Sequence, residues 1–138
     1  MTERDRVFVD SGAWIALAIE SDGLHSRALD AWERIESGSA LRFTSVPVVM
    51  ETFTFLERNT RRDVARAWRE SLRGVRSLKI LECGLSDLET SWSWFDRKDL
   101  PKLSAVDATS FVLMRRHRIR HAFTFDVHFA IAGFLPVG

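Results

Sequence analysis

The stretch VFVDSGAWIAL, residues 7–17, decides the fold of this chain. It opens with three β-branched or aromatic residues, which favour a buried strand, and Ser11-Gly12 then interrupts the run with turn-forming residues. The apolar residues that follow predict a helix directly after the turn. Asp10 takes the first position after the strand, so the stretch predicts a strand-to-helix turn that carries a carboxylate.

Strand and helix patterns alternate along the rest of the chain. The remaining strands are predicted at 41–44, 77–80, 122–125 and 134–137. The helices that separate them are predicted at 24–35, 47–58, 61–75, 85–95 and 105–117. Such alternation indicates an α/β fold in three layers, with a mostly parallel central sheet of four to five strands flanked by helices.

Two serines predict where helices begin. Ser86 with Glu89, and Ser104 with Asp107, each have the spacing of a capping box. The first of these helices is expected to face inward through apolar side chains at helical spacing. They are Leu85, Leu88, Trp92 and Phe95. The second is apolar over much of its circumference and is expected to be largely buried, whereas strand 77–80 alternates apolar and polar residues and predicts a half-exposed edge.

Composition indicates one globular domain covering residues 1–138. With 46% hydrophobic and 28% charged residues, the chain has enough apolar material for a core and enough charge for a hydrated surface. Lysine and arginine number 20 against 19 acids, a net charge of +1. Because that balance gives no overall attraction to nucleic acid, any nucleic-acid site must be local.

Cysteine usage and hydropathy favour a cytoplasmic protein. Cys83 is the single cysteine, which excludes an intrachain disulfide and a multi-thiolate zinc site. The longest uninterrupted apolar stretch near the N-terminus, residues 13–19, is too short for a signal core or a membrane span. We therefore expect neither export nor a membrane anchor.

Four acids are predicted to meet at one edge of the sheet. Asp10 and Asp126 each follow a predicted strand, and Glu51 and Asp107 are expected in the first turns of helices. In a parallel α/β unit, the carboxyl ends of strands and the starts of the following helices share one rim, where ligands bind. Clustered carboxylates raise one another's pKa, so a divalent cation is needed to keep them ionised.

Oxygen ligands select hard ions, so Mg²⁺ or Mn²⁺ is expected in preference to zinc or copper. The four histidines show no zinc-protease spacing. A structural interpretation stands beside the catalytic one. Asp107 also suits a helix cap with Ser104, and aspartates after strands are common in turns.

Four segments, in this order and spacing, resemble PIN domains of the VapC toxin type. They are residues 7–17, VPVVME at 46–51, LSAVDATSF at 103–111 and AFTFDVHF at 122–129. Each motif alone is weak, because it is only an acid among apolar residues. The ordered set with the terminal Thr-Phe-Asp-x-His-Phe pattern is more specific, and it covers nearly the whole chain.

The resemblance implies a PIN-like fold and a metal-dependent ribonuclease, the toxin of a toxin–antitoxin pair. Asp10 and Asp107 match the family's main metal ligands, Glu51 a ligand or water-orienting acid, and Asp126 an additional ligand held directly or through water. RNA cleavage through a cation-activated water would leave 5′-phosphate and 3′-hydroxyl ends. Relatives of this type form homodimers and bind a small antitoxin protein, so both partners are expected.

Hydroxyl, basic and aromatic side chains add weaker signals. Ser11 and Thr124 stand where they are able to orient the acids, although strand propensity explains Thr124 equally well. Two arginine clusters, at 62–73 and 115–120, suit phosphates, but solvated surface is the favoured interpretation. Among the tryptophans, Trp32, Trp68 and Trp92 are expected in the core. Trp14 and Trp94 are candidates for a base, a partner or a dimer interface.

Competing classes fit less well. Aspartyl-phosphate phosphatases resemble Asp-x-Asp after the first strand, and here the second position is Gly12. A receiver domain needs an acidic pair at that point, which Ser11-Gly12 does not provide. The remaining alternative is a catalytically weak PIN-fold module that binds protein or RNA.

Overall fold

Five strands form one parallel sheet in the computed structural model, which describes residues 5–138. The strands are β1 (Arg6–Val9), β2 (Leu41–Ser45), β3 (Leu78–Leu81), β4 (His121–Phe123) and β5 (Leu135–Val137). Each adjacent pair is parallel, in the order β3-β2-β1-β4-β5. The predicted α/β fold is confirmed, β3 lies at an edge as expected, and the fifth strand is present.

The order of strands reverses beside β1. From β1 the chain proceeds to β2 and β3 on one side, and β4 and β5 then fill the other side. In open parallel sheets, ligands bind at such a switch point, outside the carboxyl ends of the strands. The backbone N–H of Asp10 donates to the Phe123 carbonyl at 3.0 Å, so Asp10 lies at the switch point between β1 and β4.

Helices flank this sheet. They are α1 (Ser11–Ala18), α2 (His25–Ser37), α3 (Val46–Asn59), α4 (Arg62–Arg73), α5 (Leu85–Ser91), α6 (Ala105–Arg116) and α7 (Val127–Ile131), with a 3₁₀ helix at Trp92–Asp96. As predicted, α6 is largely buried, from Asp107 through Met114. Within residues 5–138, every helix is too short or too polar to span a membrane.

A phenylalanine cluster holds α6 in place. The Phe111 ring lies 4.9 Å from Phe129 and 5.5 Å from Phe134, and 5.0 Å from Trp94. Phe111 and Phe129 are fully buried, and each such side chain contributes about 1.5–3 kcal/mol of burial free energy. Because the cluster joins α6 to α7 and to Phe134, the residue before β5, it also fixes Asp107, one turn earlier on α6.

The predicted helix at 85–95 has different bounds and a different inward face. It ends at Ser91, and the chain tightens into the 3₁₀ helix. A 3₁₀ turn advances each residue further around the axis than an α-turn, which brings Trp94 inward and Trp92 outward. Trp94 is 7% exposed and Trp92 50%, so the expected core role of Trp92 was wrong. Leu85 and Phe95 are exposed as well.

The start of α5 also differs from the prediction. The backbone N–H of Gly84 donates to Asp87 Oδ2 at 2.9 Å, so Gly84 and Asp87 form the cap, and not Ser86 with Glu89. Asp87 is buried because its other oxygen pairs with Arg116 at the end of α6. Hydropathy at helical spacing does not register a carboxylate that is buried by a distant arginine. In contrast, Ser104 caps α6 as predicted, accepting the Asp107 backbone N–H at 3.0 Å.

Candidate active site

Asp10 lies at the centre of the site, directly after β1. Asp10 is 3% exposed, and Thr124 Oγ1 donates to Asp10 Oδ2 at 2.9 Å. Its other oxygen, Oδ1, is buried and has no hydrogen-bond partner among residues 5–138. A buried carboxylate oxygen without a donor is costly, so this atom is placed for a ligand that carries positive charge.

Asp107 lies in the first turn of α6, as predicted, and is 7% exposed. The cap by Ser104 fixes its backbone, so the structural interpretation of the Ser104–Asp107 pattern is correct for the backbone N–H. The carboxylate itself does not take part in that bond. One of its oxygens lies within 4.8 Å of an oxygen of Asp126, and burial and the charge of Asp10 raise its pKa.

Glu51 reaches the same rim from the second turn of α3. The first-turn position expected for it was wrong, because α3 begins at Val46, one residue before Pro47. Ser45 caps this helix, accepting the Val48 backbone N–H at 3.2 Å. Ser11 Oγ donates to Glu51 Oε1 at 2.6 Å, which ties α3 to the residue after Asp10.

Asp126 follows β4 less directly than predicted. The strand ends at Phe123, so Asp126 lies three residues beyond it and caps α7, accepting the His128 backbone N–H at 2.9 Å. Its own N–H donates to Thr124 Oγ1 at 3.0 Å. The Thr124 hydroxyl therefore bridges Asp10 and Asp126, and the acid still reaches the rim.

Mutual repulsion and burial raise the pKa values of two of these acids. Burial raises the pKa of Asp10 to about 6, opposed by hydrogen bonds from the Thr124 hydroxyl and the Ser11 backbone and assisted by the charges of Glu51 and Asp126. Burial, followed by the charges of Asp10, Asp126 and Glu51, raises the pKa of Asp107 to about 8. Glu51 and Asp126 act on both Asp10 and Asp107, and Asp10 acts on Asp107, so the structure brings all four predicted residues to one place.

Two features of the site suit a divalent cation. All four acids offer hard oxygen ligands, and Asp10 Oδ1 lacks the donor that it needs. A bound cation would supply that positive charge and lower the pKa of the carboxylates. Ligand atoms of Asp107, Asp126 and His128 also lie within 4.8 Å of one another.

Three neighbouring residues add to the predicted set. Ser11 and Thr124 were noted as hydroxyls near the site, and each now has a hydrogen bond to one of the acids. His128 was not a candidate. The sequence signal that could have found it is its position two residues after Asp126. It lies in the first turn of a five-residue helix that the sequence analysis did not predict.

The two arginine clusters are each partly neutralised or covered by neighbouring side chains. On α4, Arg62 and Arg66 approach Glu57 at 3.6 and 3.3 Å. At the end of α6, Arg116 pairs with Asp87, and Arg115 lies over the Trp94 ring, 4.5 Å from its centroid. This arrangement agrees with the solvated-surface interpretation.

An apolar groove of about 500 Å³ lies between α1, α2 and α4. Tilted and edge-on ring contacts of 5.6 and 5.9 Å join Trp14 to Trp32 and Trp68 along it. Trp14 is buried, and its Nε1–H donates to Thr44 Oγ1 at 3.2 Å. Trp14 was a candidate for contact with a base, a partner or a dimer interface, and its burial within the chain does not fit an exposed ring for a base or partner. Trp68 is buried as expected.

Comparison with known proteins gives consistent matches. A family model described as PIN domain matches residues 7–135. The 23S rRNA-specific endonuclease VapC20 of Mycobacterium tuberculosis (strain H37Rv) is 38% identical over 134 residues, 95% of this chain and 97% of that protein.

Solved structures agree. The crystal structure of Mycobacterium tuberculosis VapC20, described as a Sarcin-Ricin loop cleaving toxin, aligns with a TM-score of 0.80 and 32% identity, covering 94% of this chain and 96% of that one. VapBC2 from Rickettsia felis, bound to a DNA fragment from its promoter, aligns with a TM-score of 0.71 over 95% and 96% of the two chains. At 8% identity, the second likeness concerns the fold alone.

Proposed function

The chain belongs to the PIN-domain family, and on that premise we propose that it is a metal-dependent endoribonuclease, the toxin of a toxin–antitoxin pair. The observation that carries the proposal is the buried acid cluster, in which Asp107 has its pKa raised to about 8 by burial and by three other acids. A fold has no structural need for such a cluster, since buried charges without a counter-charge destabilise it. A site that binds a cation does need one.

Asp10 and Asp107 are the main metal ligands in this proposal. Asp126 is an additional ligand, directly or through water, and Glu51 is a ligand or orients the attacking water. These acids would hold Mg²⁺ or Mn²⁺, which would lower the pKa of a water and polarise the scissile phosphate. Ser11 and Thr124 hold Glu51 and Asp10 in place through their hydroxyls.

The reaction is hydrolysis by in-line displacement. The water oxygen bonds to phosphorus as the bond from phosphorus to the 3′ oxygen breaks. The attacking water gives up one proton to solvent and the leaving 3′ oxygen takes one from solvent, which leaves 5′-phosphate and 3′-hydroxyl ends. Glu51 is set to orient the water because the Ser11 hydrogen bond at 2.6 Å fixes one of its oxygens and leaves the other free of that bond. Residues 1–138 act as one catalytic domain.

Ribosomal RNA is the substrate class that we propose. The relative at 38% identity is named as specific for 23S rRNA, and it aligns with nearly the whole of this chain. Action on ribosomal RNA beside an antitoxin partner would take place in the cytoplasm.

Two exposed apolar surfaces support the proposal that the protein binds an antitoxin and forms a homodimer. The groove between α1, α2 and α4 is bordered by Leu29, which is 47% exposed, and suits an apolar segment of a small antitoxin. On α3, Met50 is 65% exposed and Phe55 40%, and this face beside Glu51 suits a second copy of the chain in a homodimer.

The test is cleavage of ribosomal RNA with Mg²⁺, with Mn²⁺ or with EDTA. We expect cleavage only with a divalent ion, and a loss of at least about 100-fold in Asp10→Asn and in Asp107→Asn, because each removes a ligand. Asp30→Asn, on the exposed face of α2, is the matched control. Cleavage that persists in EDTA and in both variants would refute the mechanism. Binding of RNA without any turnover would indicate the catalytically weak module.

A further inference from the structure

His128 presents one ring nitrogen to the acid cluster. Its Nε2 lies 2.9 Å from the Pro101 carbonyl oxygen, in the loop before α6. A carbonyl oxygen only accepts hydrogen bonds, so Nε2 must carry the hydrogen. In the neutral ring, the other nitrogen, Nδ1, then has a free lone pair.

That lone pair faces an oxygen of Asp126. Nδ1 lies 3.2 Å from Asp126 Oδ1, is buried, and makes no hydrogen bond of acceptable geometry with any residue that the structure describes. Oδ1 already accepts the His128 backbone N–H at 2.9 Å. Two acceptor atoms at this distance repel one another unless a positive centre lies beside both.

Asp107 completes the group. One oxygen of Asp107, one of Asp126 and a ring nitrogen of His128 lie within 4.8 Å of one another. Ligands on opposite sides of a small divalent ion are about 4.0–4.4 Å apart, given bonds of about 2.0–2.2 Å. The three atoms therefore need to move little to share one ion.

We propose that His128 Nδ1 is a ligand of a divalent cation shared with Asp107 and Asp126, and that it shifts the preference of the site from Mg²⁺ toward first-row transition-metal ions. The inference rests on the proposed function for the presence of a cation. Mg²⁺ takes oxygen ligands and keeps its waters, whereas imidazole suits transition metals. The hydrogen bond to Pro101 orients the ring, as the second nitrogen of a metal-bound histidine usually requires.

The test uses the full chain, labelled with ¹⁵N-histidine, and Mn²⁺ alone as the probe. Electron paramagnetic resonance counts bound Mn²⁺, and its pulsed form detects a directly bonded nitrogen. We expect one imidazole nitrogen coupled to Mn²⁺ in the unsubstituted protein. That measurement needs no variant, so it does not depend on how a substitution folds.

A variant then assigns the nitrogen to His128. His128→Gln retains an N–H for the Pro101 carbonyl and removes Nδ1, so the coupling should vanish and Mn²⁺ affinity should fall by about tenfold or more. Mg²⁺ affinity, measured by competition, should change by less than about threefold. His121→Gln, at the opposite end of β4 from the acids, is the matched control and should keep the coupling.

Two results separate the possible failures. If Mn²⁺ binds without a nitrogen coupling, the inference is overturned. It is also overturned if His128 Nδ1 proves to carry a proton that is hydrogen-bonded to Asp126. Metal-dependent RNA cleavage that is lost in Asp10→Asn would leave the proposed function standing in both cases. Absence of Mn²⁺ binding together with metal-independent cleavage would overturn the proposed function as well.

Discussion

Two aspartates of similar burial, Asp87 and Asp107, lie near opposite ends of α6 in opposite electrostatic environments. Asp87 is 4% exposed, pairs with Arg116 and accepts the Gly84 backbone N–H. Asp107 is 7% exposed, forms no ion pair with any residue that the structure describes, and faces other acids. Both carboxylates need a positive charge, and among residues 5–138 only Asp87 is paired with one. The difference separates a carboxylate that serves stability from one that serves an external cation.

The largest expected effect is the pH dependence of the free energy of unfolding, which tests the contrast between the two aspartates. Without metal, the folded protein keeps a proton on Asp107 up to about pH 8 and on Asp10 up to about pH 6, whereas the ordinary pKa of both is 3.8. The unfolded chain binds fewer protons across that window, so the free energy of unfolding should fall steadily, by several kcal/mol, from pH 4 to pH 8. Urea unfolding in EDTA measures the slope.

Substitution at each aspartate sharpens the same measurement. Asp107→Asn removes the repulsion between Asp107 and the neighbouring acids. It should therefore flatten the dependence of the unfolding free energy on pH and raise stability at pH 8. Asp87→Asn weakens the pair with Arg116 and should lower stability, by about 1–3 kcal/mol, at that pH. If both variants changed stability in the same direction, the contrast between the two aspartates would be wrong.

A smaller effect is expected at Thr124, which we assign as a positioning residue. Thr124→Val removes the hydrogen bond to Asp10 Oδ2 and the acceptor for the Asp126 N–H, so cleavage should fall by about tenfold. Because that hydrogen bond lowers the pKa of Asp10, the acidic limb of the cleavage profile should also move to higher pH. Thr109→Val is the control, because the Thr109 hydroxyl on α6 donates to the Val106 carbonyl and to none of the acids. If the pH profile of cleavage did not shift in Thr124→Val, Thr124 would have a structural role alone.

Much of the sheet was predictable, because buried strands and turn residues alternate clearly in this sequence. Residues 7–9 and 41–44 lie within β1 and β2, and the reversal of order beside β1 places Asp10 at the switch point. The convergence of four acids also followed from local rules. Strand ends and helix starts share one rim of a parallel sheet, so errors of a turn in placing Glu51 and of two residues in placing Asp126 did not remove either from it.

The remaining features depended on partners distant in sequence. Asp87 is buried by Arg116, 29 residues away, and Trp94 by Phe111 and Arg115, which hydropathy at helical spacing cannot register. Helix α7 has only five residues and a cap from Asp126, too short for a periodic pattern. His128 was missed for that reason, since its relation to the acids depends on α7.

Anomalous X-ray scattering from crystals grown with Mn²⁺ tests most directly whether the unpaired acids hold a cation. We expect a peak within about 2.0–2.4 Å of an oxygen of Asp10 and of an oxygen of Asp107, and none beside Asp87, whose charge is already paired. Saturating Mn²⁺ with no peak at the first pair of acids, or a peak at Asp87 instead, would contradict the account.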